Sequence, residues 1–220
     1  MRIVLLGGPC AGKGTQCKRI AAKYGLVHLS SGDILRQQRA TDSELGKKAQ
    51  GYMDSGALVP DEIIVQMMVG AIKKASKAGF VLDGFPRTIN QAEELDKLLD
   101  SNGEKMNIVL NLKMDDRIAA KRIIGRRSCP QCGAVYHVEN LKPKTEGICD
   151  NDGAGLVQRP DDSFDVVANR LKTYHQQTEP VMDYYKNNSS TPAFYDIDAD
   201  NDAEVVSAAV FEKLDALAKV

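Results

Sequence analysis

A short apolar strand that runs at once into a glycine-rich loop and a helix constrains this chain more than any other feature. Residues 2–6 read as a buried strand, Gly7-Gly8-Pro9-Cys10-Ala11-Gly12-Lys13-Gly14-Thr15-Gln16 follows, and residues 13–24 carry apolar positions at helical spacing. Glycines at such a junction let several backbone N–H groups converge, the helix adds the positive end of its dipole, and Lys13 adds a mobile cation. The unit is an anion cradle suited to phosphate oxygens. Its spacing has one departure from the generic loop: Gly14 stands where Ser or Thr usually follows the lysine, so Thr15 becomes the hydroxyl expected to serve phosphate or magnesium.

The rest of the chain repeats the β-α rhythm. Residues 27–29, 80–82, 107–112 and 194–197 read as further strands buried on both faces, and residues 61–77, 89–101, 115–127, 164–186 and 202–218 read as helices. That alternation predicts an α/β fold with a parallel sheet flanked by helices, its ligands bound beyond the carboxyl ends of the strands. Two stretches break the rhythm. Residues 30–59 are helical without a strand, and residues 126–162 are rich in Cys, Gly, Pro and Asp, so each is expected to be an insertion at the carboxyl edge. The chain reads without internal repeats or low-complexity tracts.

Charge and cysteine usage narrow the function classes. Lys and Arg number 29 against 30 Asp and Glu, so no global basic field favours nucleic acid or an acidic membrane, and any polyanion must be met by a local cluster. The apolar start is too short for a secretory segment and no run approaches bilayer length, which predicts a cytoplasmic protein without membrane attachment. The cysteines number five, an odd count, and three of them lie between 129 and 149, which disfavours a disulfide framework. Cys129-x-x-Cys132, sixteen residues, then Cys149-x-x-Asp152 has zinc-ribbon spacing with Asp in the fourth position. Asp150 and His137 are alternative fourth ligands; Asp152 is preferred because Cys-x-x-Asp mirrors Cys-x-x-Cys. A closed set of three thiolates and a carboxylate reads as a structural zinc site.

The loop, with Pro9 and Gly12-Lys13-Gly14-Thr15-Gln16, resembles that of adenylate kinases, and further motifs occur in the expected order. These are Ser31-Gly32-Asp33-Ile34-Leu35-Arg36, Leu58-Val59-Pro60-Asp61, Leu82-Asp83-Gly84-Phe85-Pro86-Arg87-Thr88, Gly125-Arg126-Arg127 and Arg159-Pro160-Asp161-Asp162. The resemblance covers nearly the whole chain and extends to the zinc-bearing, long-lid type, which shares the Cys₃Asp pattern. It implies a phosphate-loop core of residues 1–29, 60–124 and 163–220, an AMP-binding helical insertion of residues 30–59, and a lid of residues 125–162. It implies reversible, magnesium-dependent transfer of a phosphoryl group from ATP to AMP, giving two ADP, in a monomer. The acceptor is itself an ionised phosphate, so no general base is needed, and alignment with charge neutralisation should suffice.

The resemblance also assigns roles. Lys13, Arg87, Arg126, Arg159 and Arg170 match the catalytic cations, and Arg122 matches another arginine on the helix of Arg126. Cys10, Ala11, Gly12, Lys13, Gly14, Thr15, Arg126, Val135 and Tyr136 match the ATP-binding positions. Ser31, Arg36, Ala57, Leu58, Val59, Gly84, Phe85, Pro86, Arg87, Gln91, Arg159 and Arg170 match the AMP side, with the Gln91 amide reading adenine bidentately. Lid packing is the alternative role for Val135 and Tyr136. Asp83 and Asp33 are expected to hold water on magnesium; Asp161 and Asp162 are expected to cap the next helix or tie the lid to the core. The loop Asp198-Ala199-Asp200 is expected near the ATP adenine. His137 and His175 are excluded as acid–base groups, the latter being read as a mid-helix packing residue. Cys10 departs from the family, which usually has glycine there.

Three rival readings are weaker. UMP and CMP kinases generally have short lids and no reason for Gln91. A GTPase would need an Asn-Lys-x-Asp signature. A zinc-ribbon nucleic-acid binder would need a basic lid with interleaved aromatics.

Overall fold

The computed structural model describes residues 1–40, 44–75, 77–187 and 193–217, without the side chains of 39, 40, 44, 45 and 165. Residues 41–43 of the expected insertion, and residues 76 and 218 at the ends of two expected helices, lie outside the described residues. The chain opens with β1 (Arg2–Gly7), α1 (Lys13–Tyr24), β2 (Val27–Ser30), α2 (Ser31–Ala40), α3 (Glu44–Ser55), α4 (Asp61–Ala75) and β3 (Phe80–Asp83). It continues with α5 (Ile89–Ser101), β4 (Ile108–Lys113), α6 (Asp116–Gly125), β5 (Arg126–Ser128) and β6 (Val135–His137). A 3₁₀ turn (Pro160–Asp162), α7 (Phe164–Thr173), a π-helical turn (Tyr174–Thr178), α8 (Pro180–Asn187), β7 (Ala193–Asp198) and α9 (Ala203–Leu217) complete it.

Among the described residues the main sheet runs β2-β3-β1-β4-β7, every pair parallel. Alternation along β1 divides the core. Val4 and Leu6 face α4, α5 and α8, whereas Ile3 and Leu5 face α1 and α9. These four residues are at most 2% exposed, and each contributes about 1.5–3 kcal/mol by burial. The chain leaves β1 toward β2 on one side and later crosses to β4 on the other, so the loop after β1 sits where the strand order reverses. Burial on both faces holds for β1, β3 and β4, but the edge strands differ from expectation. Val27 of β2 and Tyr195 of β7 are exposed, because an edge strand has a neighbour on only one side.

The predicted single helix over 164–186 is interrupted. Pro180 lacks an N–H and cannot continue the regular ladder, and the Glu179 N–H instead reaches back five residues to the Tyr174 carbonyl at 2.9 Å, closing a π turn. The predicted helix over 115–127 ends at Gly125, where the backbone of Arg126 turns extended and starts the lid. In the lid, β5 and β6 pair antiparallel, with Ser128 opposite Val135. No helix among the described residues is long and apolar enough to cross a membrane.

Candidate active site

A cleft of about 860 Å³ opens at the carboxyl ends of β1 and β3 and runs between the helical insertion and the lid. At its floor, Gly7 adopts φ +139°, and a Cβ there would lie 2.6 Å from the Leu112 carbonyl of β4, so a side chain would prise the loop off the sheet. Gly12, at φ +84°, begins α1 in the left-handed region. Cys10 also has a positive φ, +57°, which accounts for the preference for glycine at this position in the resembling loops.

Lys13 folds back over the loop. Its ammonium donates to the carbonyls of Gly7 and Gly8, each at 2.7 Å. Burial pushes this group down to about 8, with Asp83 pulling it back up and Arg87 pushing it further down. Asp83 ends β3 beside the loop: a Cβ on Gly14 would lie 3.2 Å from its Oδ2. Burial opposes the Asp83 charge, but His28 and Lys13 outweigh it and hold the carboxyl below its ordinary value.

The arginines arrive from four elements. Arg87 follows β3; its N–H donates to the Gln91 Oε1 at 2.8 Å and its Nε to the Gly84 carbonyl at 2.8 Å. Arg126 and Arg170, from the lid base and α7, both grip Asp162, which is fully buried. Arg126 Nε donates to Asp162 Oδ2 at 2.7 Å, while Arg170 Nη1 donates to Asp162 Oδ1 at 2.9 Å and Asp161 Oδ2 at 2.8 Å. Asp161 and Asp162 therefore tie lid to core; neither caps α7. Arg159 donates to Ser128 Oγ at 2.9 Å. Burial lowers the Arg87 guanidinium, with Arg170 adding to it, and lowers Arg159 to about 10, with Arg36 and Arg126 adding to it. Cations that depress one another in a shared cleft are a site for a polyanion.

On the insertion side, Ser31 Oγ donates to the Gly84 carbonyl at 2.7 Å, and Arg36 pairs with Asp33 at 2.5 Å. Ala57, Leu58, Val59, Gly84, Pro86, Arg87 and Gln91 line the cleft. Phe85 corrects the expectation: it is 1% exposed, packed inside the core with Leu82 and Leu95, and does not line the cleft. Gln91 is also more committed than expected. Its Nε2 donates to Asp61 Oδ1 at 2.7 Å and its Oε1 accepts from Arg87, so one N–H and one lone pair remain for a base edge. The local reason is Thr88, which caps α5 by accepting from the Gln91 N–H while donating to Asp61 Oδ2 at 2.8 Å.

On the lid side, Val135 is exposed to the cleft, but Tyr136 packs with Cys129 and Cys149, and its hydroxyl accepts from the Asp150 N–H at 2.8 Å. Tyr136 thus supports the lid while it also borders the cleft. Arg122 lines the cleft but is engaged there: it donates to the carbonyls of Ala199, Asp200 and Asn201 at 2.9–3.1 Å and pins the loop after β7. His137 accepts the N–H groups of Glu139 and Asn140, ordering a lid turn. His175 is 43% exposed and bridges Asp116 and Glu179, each at 2.8 Å, in place of the packing role expected.

Cys129, Cys132, Cys149 and Asp152 bring one donor atom each within 4.8 Å of one another. The two halves of this cluster repeat. In each, the first Cys donates its N–H to the alanine five residues on at 2.8 Å, and the glycine four residues on, with positive φ, donates back. Cys129-Pro-Gln-Cys-Gly-Ala and Cys149-Asp-Asn-Asp-Gly-Ala are thus an internal repeat that the sequence reading missed, and the trailing Gly-Ala was its signal. Asp152 takes the place of Cys132 in the second turn, while Asp150 is engaged by the Lys144 N–H. The fit to zinc is good: thiolates about 2.3 Å from one tetrahedral ion lie about 3.8 Å apart, and Cys132 Sγ and Cys149 Sγ are 3.5 Å apart.

The family model for adenylate kinase matches residues 5–190. The adenylate kinase of Lachnospira eligens is 47% identical over 215 residues, 97% of this chain and 100% of that protein. Those of Caldicellulosiruptor bescii and Clostridium acetobutylicum are each 50% identical, over 84% and 85% of this chain and 87% of each relative. With a phosphate loop at the switch point of a parallel sheet, arginines converging on it, and likeness across nearly its full length, the chain belongs to the adenylate kinase family of nucleoside monophosphate kinases.

Proposed function

We propose that the chain transfers the terminal phosphoryl group of ATP to AMP, reversibly and with magnesium, giving two ADP. One observation carries this reading: Lys13, Arg87, Arg126, Arg159 and Arg170 surround a single cleft from four directions, with one anion cradle at its floor. Cys10, Ala11, Gly12, Lys13, Gly14 and Thr15 would hold the ATP phosphates, with Arg126 above them and Val135 near the base. Tyr136, which packs in the lid and borders the cleft, would stand beside Val135 there. Ser31, Arg36, Ala57, Leu58, Val59, Gly84, Pro86, Arg87 and Gln91 would hold AMP, with Phe85 anchoring their loop in the core. Arg159 and Arg170 would lie where the two phosphate chains meet.

The cations align the acceptor phosphate with the phosphoryl group and neutralise the charge spread over it, so no side chain takes a proton and no covalent intermediate forms. Magnesium, when bound with ATP, neutralises part of the phosphate charge; Asp83 and Asp33 are the carboxylates that would hold its waters. Asp162 keeps Arg126 and Arg170 aimed and charged before nucleotide arrives. Burial opposes the Arg126 charge, and Cys10 and Asp162 outweigh it and hold the group above its ordinary value. Residues 1–29, 60–124 and 163–220 serve as the core, 30–59 as the AMP-binding insertion and 125–162 as a lid. Closure of such lids over the phosphates excludes water, adenylate kinases being a standard instance. Cys129, Cys132, Cys149 and Asp152 would hold a structural zinc ion. The enzyme is read as a cytoplasmic monomer with ATP, AMP and ADP as its partners.

The test is a coupled assay with ATP, magnesium and each nucleoside monophosphate in turn. ADP from AMP is expected to exceed that from UMP or CMP by orders of magnitude; turnover of UMP or CMP without AMP activity would overturn the reading.

A further inference from the structure

The phosphate end of the cleft carries a second set of metal-type donors, of which the proposed phosphoryl transfer uses only Asp83. Cys17 of α1, His28 of β2 and Asp83 of β3 bring a thiol, an imidazole nitrogen and a carboxylate oxygen within 4.8 Å of one another. The fold enforces this. Parallel pairing sets His28 opposite Val81 and Ser30 opposite Asp83, and α1 lies over β3 with Cys17 Sγ 3.9 Å from the Leu82 carbonyl. His28 Nε2 and Asp83 Oδ2 are 3.6 Å apart, too far for a hydrogen bond, and Nε2 is buried with no hydrogen-bond partner among the described residues. A buried nitrogen left this way is unfavourable until something bridges it.

An ion bridges it well. Nitrogen and oxygen donors about 2.0–2.2 Å from a tetrahedral ion lie about 3.3–3.6 Å apart, which the His28–Asp83 separation meets, and a small shift brings in the sulfur. Mixed sulfur, nitrogen and oxygen donors suit the zinc class rather than magnesium. His28 and Asp83 line the cleft, so an ion has a route in. We propose that Cys17, His28 and Asp83 form a three-donor site for a zinc-class divalent cation, separate from the lid cluster and with its fourth position open to the cleft. On binding, the Cys17 proton leaves to solvent and Asp83 turns its charge from the phosphate loop to the ion. Occupancy therefore competes with magnesium-ATP; this consequence, though not the binding, rests on reading the cleft as the ATP site.

The test uses the full chain with its lid cluster already filled by zinc, titrated with cadmium. Binding is followed by equilibrium dialysis and by the ultraviolet thiolate-to-cadmium band, and phosphoryl transfer is measured in parallel. A second equivalent with a new thiolate band is expected, weakened more than tenfold in Cys17→Ala and in His28→Gln, with ADP formation falling as the site fills in the parent but not in His28→Gln. Because His28 is partly exposed, its variant carries the test if Cys17→Ala does not fold. No second equivalent, one that survives both substitutions, or one lost instead in Cys10→Gly would overturn the site. Binding that leaves ADP formation untouched would overturn its inhibitory effect. Cadmium binding in a protein that makes no ADP at all would count against the kinase reading while leaving the site intact.

Discussion

The phosphate loop and the lid both hold charged groups at fixed positions, but they obtain rigidity from different sources. The loop hangs from β1, whose apolar residues are almost wholly buried between two helical layers, and Gly7 presses it against β4. The lid has a buried apolar set of only Cys129, Tyr136 and Cys149, with Ala134, Ala154 and Leu156 packed around them. So small a core cannot order a segment of this length, and a donor set for metal takes its place. The difference separates chemistry from stability: altering the loop should remove rate and spare the fold, and altering the lid cluster should do the reverse.

Asp162 is where the lid joins the core that carries the loop, and breaking it should have the largest effect. Asp162→Asn leaves two largely buried arginines short of a partner, with an expected cost of about 3–5 kcal/mol in unfolding by denaturant. Saturating nucleotide, whose phosphates supply new partners, should recover part of that loss; the same deficit with and without nucleotide would mean these arginines do not meet phosphate. Next comes Lys13→Met, expected to slow transfer by about 10²–10³-fold. Its melting temperature should barely fall, since burial already disfavours this charge. Equal loss of rate and stability would erase the distinction between loop and lid.

Cys129→Ser sharpens the contrast from the other side. A metal held at about 100 times its dissociation constant contributes about 2.7 kcal/mol. Losing it should lower the melting temperature by about 5–10 °C, while most of the rate at low temperature remains. Unchanged melting of a metal-free protein would contradict this. A smaller effect concerns protons. Lys13 sits at about 8 in the free enzyme, and a neighbouring polyphosphate raises that value, so ATP binding at pH 9 should take up a fraction of a proton and at pH 7 almost none from this group. Calorimetry in two buffers of different ionisation enthalpy reads this directly; no uptake at pH 9 would place Lys13 away from phosphate. The smallest effect belongs to His175, raised by Glu179 and Asp116. Its stabilisation is present below the unfolded value near 6.5 and lost as pH rises through the folded one. Exposure limits this to about 1 kcal/mol or less. His175→Gln should flatten the melting temperature across that range.

Sequence spacing made the loop and the metal cluster legible because each is local: strand, glycines and lysine within sixteen residues, and two Cys-x-x turns within twenty-four. What escaped was nonlocal. Nothing near Asp162 announces that Arg126 and Arg170 converge on it, nor does β-branched character tell an edge strand such as β7 from a central one. Phe85 sits inside a site motif, yet it packs in the core, and nothing local shows that the Tyr136 hydroxyl meets the Asp150 N–H. The π turn needed Pro180 to be read for the hydrogen bond it removes.

The most direct test of the central claim, that this cleft passes a phosphoryl group between two nucleotides rather than to water, is the rate of ADP formation from ATP and magnesium with and without AMP. Two ADP for each ATP consumed when AMP is present, and slow hydrolysis without it, is the expected result. Equal rates of ATP breakdown with and without AMP would contradict it.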